Sequence, residues 1–277
     1  MRIPEREYTE AGRWKGRLTN KPIPDHDPTI DALSAADREK LATIWHHRAA
    51  MERRVGDAFD VIREALVRLR APETLVSLAT RAIDDEYRHT ELSRLVASRF
   101  AGRALPMPER LHLEVPKHKG ASPELRDTLF VVGQCVLNET TASAFLECCV
   151  KHATGPVAVA ALRELLSDEI DHGRIGWSHL ASLDQAKRNE VARWMFPMAY
   201  LNLQIWKKET PYDPSHSEAL SRHGSPSAEV THAALVGALE DLIVPGMKEL
   251  EMNTASIEAW LAAGANTDRA PIEFLSI

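Results

Sequence analysis

Apolar positions return every three to four residues through most of this chain, which is the spacing of one face of an α-helix. The clearest stretch begins after Ser34 and ends near Leu69. Ser34 and Asp37 form a capping-box pattern at its start, with aspartate in place of the usual glutamate. The pattern predicts a first long helix whose inward stripe contains Leu41, Ile44, Trp45, Met51, Val55, Phe59, Ile62 and Leu66.

Proline and glycine divide the rest of the chain into further predicted helices. Proline suits the first turn of a helix, where its missing N–H is not needed. Ser182 with Gln185 resembles a second capping box. The predicted helices run from Pro72 to about Phe100, from Pro123 to about His152, from Pro156 to about Leu180, from Ser182 to Trp206 with a kink at Pro197, and from Ser225 onward with a break near Pro245.

Two segments lack this periodicity. Residues 1–33 carry four prolines and many charges, which predicts an extended N-terminal arm. Residues 101–121 are also rich in proline and glycine, and they predict a long crossover rather than a hairpin. Strand-like alternation is not sustained anywhere, so the chain is predicted to be all-α. One helical domain of residues 34–277 is expected, with a bundle core at 34–181, one long crossover and accessory C-terminal helices at 182–277.

Composition excludes several classes of protein. The chain has 277 residues and a formal net charge of −6, which argues against nucleic-acid binding because that needs clustered basic residues. The N-terminus shows no apolar secretion signal, and no apolar run reaches the roughly 18 residues of a membrane span. The three cysteines are Cys135, Cys148 and Cys149, an odd number that favours no disulfide framework. A reducing cytoplasm is therefore the expected location.

One motif occurs twice. The sequence Asp-Glu-x-x-His appears at residues 85–89 within the second predicted helix and at residues 168–172 within the fourth. Residues three apart lie on one helix face, so Glu86 can reach the same point as His89, and Glu169 the same point as His172. The first and third helices offer single glutamates on their apolar stripes, Glu52 and Glu139.

Charge balance favours a metal site at these six residues. Four ionised carboxylates in an apolar core are costly unless cations neutralise them, and two divalent cations would do so. Oxygen and imidazole ligands suit iron or manganese better than metals that prefer thiolates. A single Glu from each of two helices with Glu-x-x-His from two others is also the arrangement described for dinuclear carboxylate bundles.

On these residues the chain resembles the ferritin-like di-iron carboxylate superfamily, in its oxygen-activating oxygenase and oxidase branch. The resemblance covers residues 34–181 and implies a ferritin-like four-helix bundle. It implies two iron ions held by Glu52, Glu86, His89, Glu139, Glu169 and His172, with Mn/Fe and Mn/Mn pairs as alternatives, and O₂ as co-substrate. It further implies that the outer N–H of His172 donates to Asp85 and the outer N–H of His89 donates to Asp168, which orients the histidines. Ser143, one turn after Glu139, would manage protons.

The resemblance has limits that bear on function. Arylamine N-oxygenases of this superfamily carry a third histidine four residues before the last glutamate, where this chain has Leu165. The chain also has no Cys-x-x-Cys pair for an iron–sulfur site of its own. Re-reduction of the metals would therefore need an external electron donor, a reductase or ferredoxin.

The expected function is O₂-dependent oxidation of a small or medium organic substrate. A di-manganese catalase and a ferroxidase or iron-binding protein are the alternatives. Helices after Leu180 would complete the pocket or form the interface of a homodimer, and the sequence leaves both open. A mostly apolar substrate pocket is expected between the first and third helices, lined by Ala49, Gly56, Val132, Cys135, Ala142 and Phe145.

Overall fold

The structure, a computed structural model, describes residues 2–3, 5–6, 16 and 18–268. Within these residues the chain is helical, and the extended backbone pairs only in isolated bridges of Glu5 with Leu18 and Thr19. The predicted all-α class is confirmed. Eleven α-helices and two π-helical segments are present in the described residues: α1 (Pro28–Asp31), α2 (Ala35–Arg68), α3 (Glu73–Ala101), α4 (Pro123–Val131), π1 (Val132–Asn138), α5 (Glu139–His152), α6 (Pro156–Ser182), α7 (Gln185–Glu209), α8 (Glu218–Arg222), α9 (Ala228–Ala238), π2 (Leu239–Ile243), α10 (Val244–Glu249) and α11 (Ala255–Ala262).

Local capping accounts for the start of the first long helix. The Ser34 hydroxyl accepts a hydrogen bond from the Asp37 backbone N–H and donates to the Asp37 carboxylate at 2.7 Å. The predicted capping box is therefore present at the start of α2. The next long helix, α3, ends before Gly102. The φ of 66° at Gly102 is a left-handed conformation that glycine adopts without strain.

The third long helix contains a feature that the sequence pattern did not predict. Residues 123–152 form one continuous helix, but π1 interrupts its α-helical hydrogen bonding and ends immediately before Glu139. π-helical turns inside α-helices often occur at functional sites, since they change the direction of the side chains that follow. The predicted third helix is confirmed in extent and differs in its internal geometry.

Three later boundaries differ from prediction. Ser182 ends α6 and donates to the His179 carbonyl, while Asp184 caps α7 by accepting from the Lys187 N–H. Ser227, not Ser225, caps α9. Pro245 does not break the last helical region, because it lies in the first turn of α10 within a helix that runs from residue 228 to 249.

The four long helical segments pack around a central layer of polar side chains. α2 lies along α3, α5 and π1 lie along α6, and α3 also packs on α6. One apolar cluster around Trp45, Phe100 and Leu165 fills one end. A second around Phe59, Ala79 and Ile175 fills the other. On each of α2, α3 and α6, the glutamate (Glu52, Glu86 or Glu169) lies between a residue of the first cluster and a residue of the second. The two apolar clusters therefore border the carboxylates on both sides.

The accessory helices and the N-terminal segment pack on this core. α7, α9, α10 and α11 share a third apolar cluster with π1, built around Met195, Leu235 and Trp260. From the segment before α2, Ile3, Leu18 and Ile23 are buried against the first cluster. That segment contains the short helix α1, so it is not wholly extended as predicted. The division at residue 34 remains a prediction, and residues 7–15 and 269–277 lie outside the described residues.

Two helices have the length and apolar composition of membrane spans, Pro123–His152 and Ala228–Glu249. Core helices of soluble proteins pass the same test. The first helix carries Glu139 into the polar layer, and 56% of its most apolar window is buried in the protein. Its composition is therefore weak grounds for membrane insertion, and the expected absence of a membrane segment remains a prediction.

Candidate metal centre

Four helices bring the six predicted ligands together in the polar layer. Glu52 comes from α2, Glu86 and His89 from α3, Glu139 from α5, and Glu169 and His172 from α6. Their ligand atoms form two groups in which all atoms lie within 4.8 Å of one another. The first group is Glu52, Glu86, His89 and Glu169, and the second is Glu86, Glu139, Glu169 and His172.

The two groups share Glu86 and Glu169. A carboxylate has two oxygens and can therefore face both groups at once. Each group also has one glutamate and one histidine that the other group lacks. The cluster therefore offers two adjacent, similar sets of oxygen and nitrogen ligands. Buried clusters of this composition could hold a metal ion.

Both histidines turn the same ring nitrogen toward the carboxylates. His172 Nδ1 lies 3.0 Å from Glu86 Oε1 and 3.2 Å from Glu169 Oε2. His89 Nδ1 lies 3.5 Å from Glu169 Oε1, 3.7 Å from Glu86 Oε2 and 4.0 Å from Glu52 Oε2. The opposite nitrogens point away from the cluster, which leaves each Nδ1 available as a ligand atom.

Unsatisfied buried atoms supply a test of whether a cation fits. Neither oxygen of Glu86 nor Nδ1 of His89 has a partner in hydrogen-bond geometry, although both side chains are fully buried and His172 Nδ1 lies only 3.0 Å from Glu86 Oε1. Buried polar atoms without partners are rare because each loses its hydration without replacement. A cation between the carboxylates would supply the missing interaction for these atoms, so the residues present fit a metal.

Protonation in the metal-free protein follows from the same crowding. Burial and the charge of Glu86 raise the pKa of Glu52 well above its usual value. Burial and the charge of Glu169 do the same to the pKa of Glu139. Burial alone would lower the pKa of His89, but the neighbouring carboxylates of Asp168 and Glu169 raise it well above the ordinary value. These three groups therefore hold their protons to a higher pH than isolated glutamate and histidine side chains do.

Metal binding at this cluster is expected to release protons and to weaken as the pH falls. The raised pKa values keep these groups protonated to a higher pH than usual, and a cation must displace the protons that they hold. Calorimetric titration in buffers of different ionisation enthalpy would measure the released protons, and affinity should drop between about pH 8 and about pH 6. An affinity independent of pH over this range would contradict the assignment.

The outer nitrogens of the two histidines face aspartates from the opposite motif. His89 Nε2 lies 3.1 Å from Asp168 Oδ2, and His172 Nε2 lies 3.7 Å from Asp85 Oδ2. His89 therefore makes the expected hydrogen bond to Asp168. His172 faces Asp85 as expected, but 3.7 Å is too long for a hydrogen bond. A carboxylate on the outer nitrogen fixes the ring orientation and makes the inner nitrogen a better ligand.

Three arginines surround these aspartates, and the sequence analysis did not assign them. Arg88 is fully buried and donates to both Asp85 and Asp168. Arg6 donates to the two oxygens of Asp168 at 3.0 and 2.9 Å. Arg81 Nε lies 3.4 Å from Asp85. The spacings of Arg81 and Arg88 from Asp85, four and three residues on one helix, were signals that could have found them.

Glu164 is the third carboxylate of this outer layer. Its Oε1 lies 3.4 Å from Arg6 Nε and 3.5 Å from Arg88 Nη1, and it accepts the Asn20 N–H at 2.7 Å. The three arginines therefore face three carboxylates. This outer layer neutralises itself and leaves the charge of the glutamate cluster to be balanced from within.

Replacing Asp168 with asparagine is expected to weaken metal binding. The substitution removes the carboxylate that orients His89 and leaves Arg6 and Arg88 with less compensating charge. Loss of such supporting carboxylates costs about 10- to 100-fold in metal affinity. Competition with a chelator measures the change. Asp60→Asn is the matched control, because it removes the same charge from an exposed site on α2 that pairs with Arg63.

Glu139 receives its own support from the π-helical segment. The Gln134 side-chain amide donates to Glu139 Oε1 at 2.6 Å across one turn of π1. Gln134 was not among the predicted site residues, because a five-residue spacing does not align side chains on a regular α-helix. The π-helical geometry accounts for the contact.

A cavity of about 430 Å³ leads from the glutamates to the surface between α2 and α5. Glu52, Glu86, Glu139 and Glu169 all contact it. Most of its surface is apolar and comes from side chains that include Ile44, Met51, Val55, Phe145, Leu146, Ile205, Trp206 and Leu220, while charged residues such as Arg48, Glu209 and Asp213 also line it. The Glu52 side chain is 13% exposed, which makes it the most exposed of the six candidate ligands.

The predicted pocket residues divide into two groups. Ala142 and Phe145 line the cavity as expected. Ala49, Gly56, Val132 and Cys135 are buried in the helix packing and are not among the lining residues. Ser143 is partly buried and does not line the cavity either. The prediction used helix faces alone, whereas the gap between α2 and α5 exposes only part of each face.

α7 and the segment after it cover the cavity. Trp206 stacks on Phe145 with ring centroids 5.3 Å apart, and its indole N–H donates to Asn138 Oδ1 at 3.0 Å. His47 on α2 contacts Glu209 on α7 at 2.8 Å. The sequence left open whether the accessory helices complete the pocket or form a dimer interface, and α7 does complete the pocket. Their role in a homodimer remains a prediction.

Comparison with protein-family models, with curated proteins and with solved structures gives no match for this chain. The functional argument therefore depends on the geometry of the site. That geometry comprises a buried cluster of four glutamates and two histidines, an outer layer of paired charges, and a mainly apolar cavity that ends at the cluster.

Proposed function

We propose that this protein is a non-heme di-iron oxygenase or oxidase, with a ferritin-like four-helix bundle as its core. The observation that carries the proposal is that two ligand sets sharing Glu86 and Glu169 lie at the inner end of an apolar cavity. Two ferrous ions held there would supply the electrons that O₂ needs to oxidise an organic molecule. O₂ is the co-substrate, and an external reductase or ferredoxin restores the ferrous state.

The chain's own residues perform the remaining tasks in this proposal. Glu86 and Glu169, which belong to both ligand groups, would each help to hold both ions, while Glu52 and Glu139 would each hold one. Asp85 and Asp168 keep the histidine rings in place through their outer nitrogens. The apolar walls from α2, α5 and α7 exclude water and hold the substrate beside the ions.

Size of the cavity favours an organic substrate over the two alternatives. A volume of about 430 Å³ falls in the range of small-molecule sites, which is roughly 300–1,000 Å³. Hydrogen peroxide, the substrate of a di-manganese catalase, needs far less room. A ferroxidase needs only a route for hydrated cations, which acidic residues such as Glu209 and Asp213 would serve. It does not need the apolar surface that Phe145, Ile205 and Trp206 add to this cavity.

The test begins with metal-free protein loaded with ⁵⁷Fe(II) without oxygen. Two irons per chain by elemental analysis and a coupled diferric Mössbauer spectrum after exposure to O₂ are the expected results. Oxygen uptake should then require a reductant and should respond to added organic acids, alcohols or amines. Substrate oxidation in the cytoplasm of the producing cells would be sought afterwards by comparing small-molecule profiles.

The alternatives have their own signatures in the same experiment. Two manganese ions and rapid disproportionation of hydrogen peroxide would replace the proposal with a catalase. Continued uptake of iron beyond two ions per chain would indicate storage. One ion or none per chain in the wild type would exclude the dinuclear site and the proposed function with it.

A further inference from the structure

Arg48 lines the cavity one helical turn before Glu52 on α2. The residue is only 9% exposed, so its charge lies almost entirely inside the protein. Its guanidinium stacks on Trp45, with Cζ 4.3 Å from the ring centroid, and lies 5.6 Å from the centroid of the Phe145 ring. The aromatic rings fix its position at the wall of the cavity.

The polar partners of this guanidinium are neutral. Nη2 donates to the Gly224 carbonyl at 3.2 Å and lies 3.9 Å from Cys149 Sγ. Burial raises the pKa of Cys149 to about 12, so the sulfur is a neutral thiol. Nη1 is buried and has no hydrogen-bond partner, and Arg48 pairs with no carboxylate among the residues that the structure describes.

The other buried arginines of this region differ in this respect. Arg6 and Arg88 each contact two or more carboxylates of the outer layer. A buried cation without an anion is strongly unfavourable, so proteins pair such groups or place them where a ligand supplies the charge. Arg48 lines a cavity and carries a charge that no carboxylate of the described residues balances, which is the arrangement of an anion-binding residue.

We infer that the substrate of the proposed reaction is a carboxylic acid with an apolar body, and that Arg48 binds its carboxylate. This inference depends on the proposed function and specifies its substrate class. A carboxylate matches the planar guanidinium fork and carries a single charge. Glu209 and Asp213 also line the cavity and would repel a doubly charged phosphate ester.

Helix geometry sets the length of this acid. Phe145 lies six residues after Glu139 on α5 and Cys149 ten residues after it, which correspond to rises of about 9 and about 15 Å. The guanidinium contacts both residues, so it lies on the order of 10 Å along the cavity from the carboxylate cluster. The oxidised carbon would therefore be remote from the carboxylate, near the far end of a medium-length acid.

Paired probes that differ only in charge test this inference. Octanoate and octanamide are titrated by calorimetry into the metal-loaded protein under nitrogen, and the experiment is repeated on the metal-free protein. Octanoate should bind about 10- to 100-fold more tightly than the amide, the range expected for one charge-assisted pair. Arg48→Met should reduce octanoate binding by the same factor and leave octanamide binding unchanged.

Matched variants separate the charge of Arg48 from other effects. Arg53→Met removes the same charge from the same helix outside the cavity and should leave octanoate binding unchanged. Arg48→Lys keeps the charge without the planar fork and should fall between wild type and Arg48→Met. If Arg48→Met does not fold, the comparison of octanoate with octanamide on the wild type still shows whether the cavity prefers a carboxylate.

Equal binding of the acid and the amide to the wild type would overturn the inference, as would full octanoate affinity in a folded Arg48→Met variant. Either result leaves the dinuclear centre and its oxygen uptake untouched. Conversely, Arg48-dependent octanoate binding in a protein that holds no metal pair would support carboxylate recognition while removing the proposed oxygenase. The two failures are therefore distinguishable.

Discussion

Replacing Glu86 with alanine is expected to remove both metal ions from the protein, and Glu169→Ala should do the same. Each of these glutamates belongs to both ligand groups, so one substitution takes a ligand from each. Loss of a supporting residue already costs 10- to 100-fold, and loss of a shared ligand should exceed about 100-fold for each ion. Elemental analysis after dialysis should show less than one ion per chain.

Folding of these variants provides the decisive control. Glu86 is fully buried, and its oxygens have no hydrogen-bond partner in the metal-free protein. Removing this buried carboxylate relieves its desolvation but takes an anion away from His89 and His172. These two effects oppose each other, so metal-free Glu86→Ala should unfold close to the temperature of the metal-free wild type. Glu147→Ala, which removes an exposed carboxylate of α5, should keep both ions. Two ions retained in Glu86→Ala would refute the ligand assignment.

Gly176→Ala is expected to destabilise the protein and disturb the centre. Gly176 lies one turn after His172 on α6, against the backbone of π1. An added Cβ would lie 2.6 Å from Cys135 Cβ, 2.8 Å from Val136 N and 2.9 Å from Cys135 C. Backbone atoms of a buried helix cannot move aside as a side-chain tip can, so α6 and π1 must separate. Overpacking of this kind costs about 1–3 kcal/mol.

Gly173→Ala is the matched control on the same helix. Its added Cβ would lie 3.7 Å from the Cys135 carbonyl oxygen and 3.9 Å from Thr140 Oγ1, which are ordinary contacts. Alanine is favoured over glycine in a helix by up to about 1 kcal/mol, so this variant should be as stable as the wild type or more stable. Thermal unfolding of both variants, with metal affinity measured in parallel, compares them directly. Equal stability would show that α6 and π1 are not in close contact.

Local sequence signals were sufficient for the helices and for the six candidate ligands. Ser34, Pro123 and Pro156 mark helix starts through capping or proline chemistry, which depends on neighbouring residues alone. The ligand pattern was also readable, because a three-residue spacing places Glu86 and His89 on one face of any helix. Where two capping residues competed, as with Ser182 and Asp184, local chemistry favoured neither one decisively and the prediction was wrong.

The surroundings of the centre depended on contacts between distant parts of the chain. Arg6 reaches Asp168 across 162 residues, and no local pattern connects them. The cavity likewise depends on how far α2 and α5 separate and on α7 lying over the gap, which is why four predicted lining residues proved to be buried. π1 also packs against α6, and the periodicity of the sequence did not predict it.

The sequence by itself therefore determined the all-helical class and which glutamates and histidines could meet. Those features follow from periodicity and spacing along single helices. Only the tertiary structure decided which charges compensate one another, where the cavity lies, and that Arg48 remains buried without an anion. Such properties are set by distances between helices, and those distances result from the packing of the whole molecule.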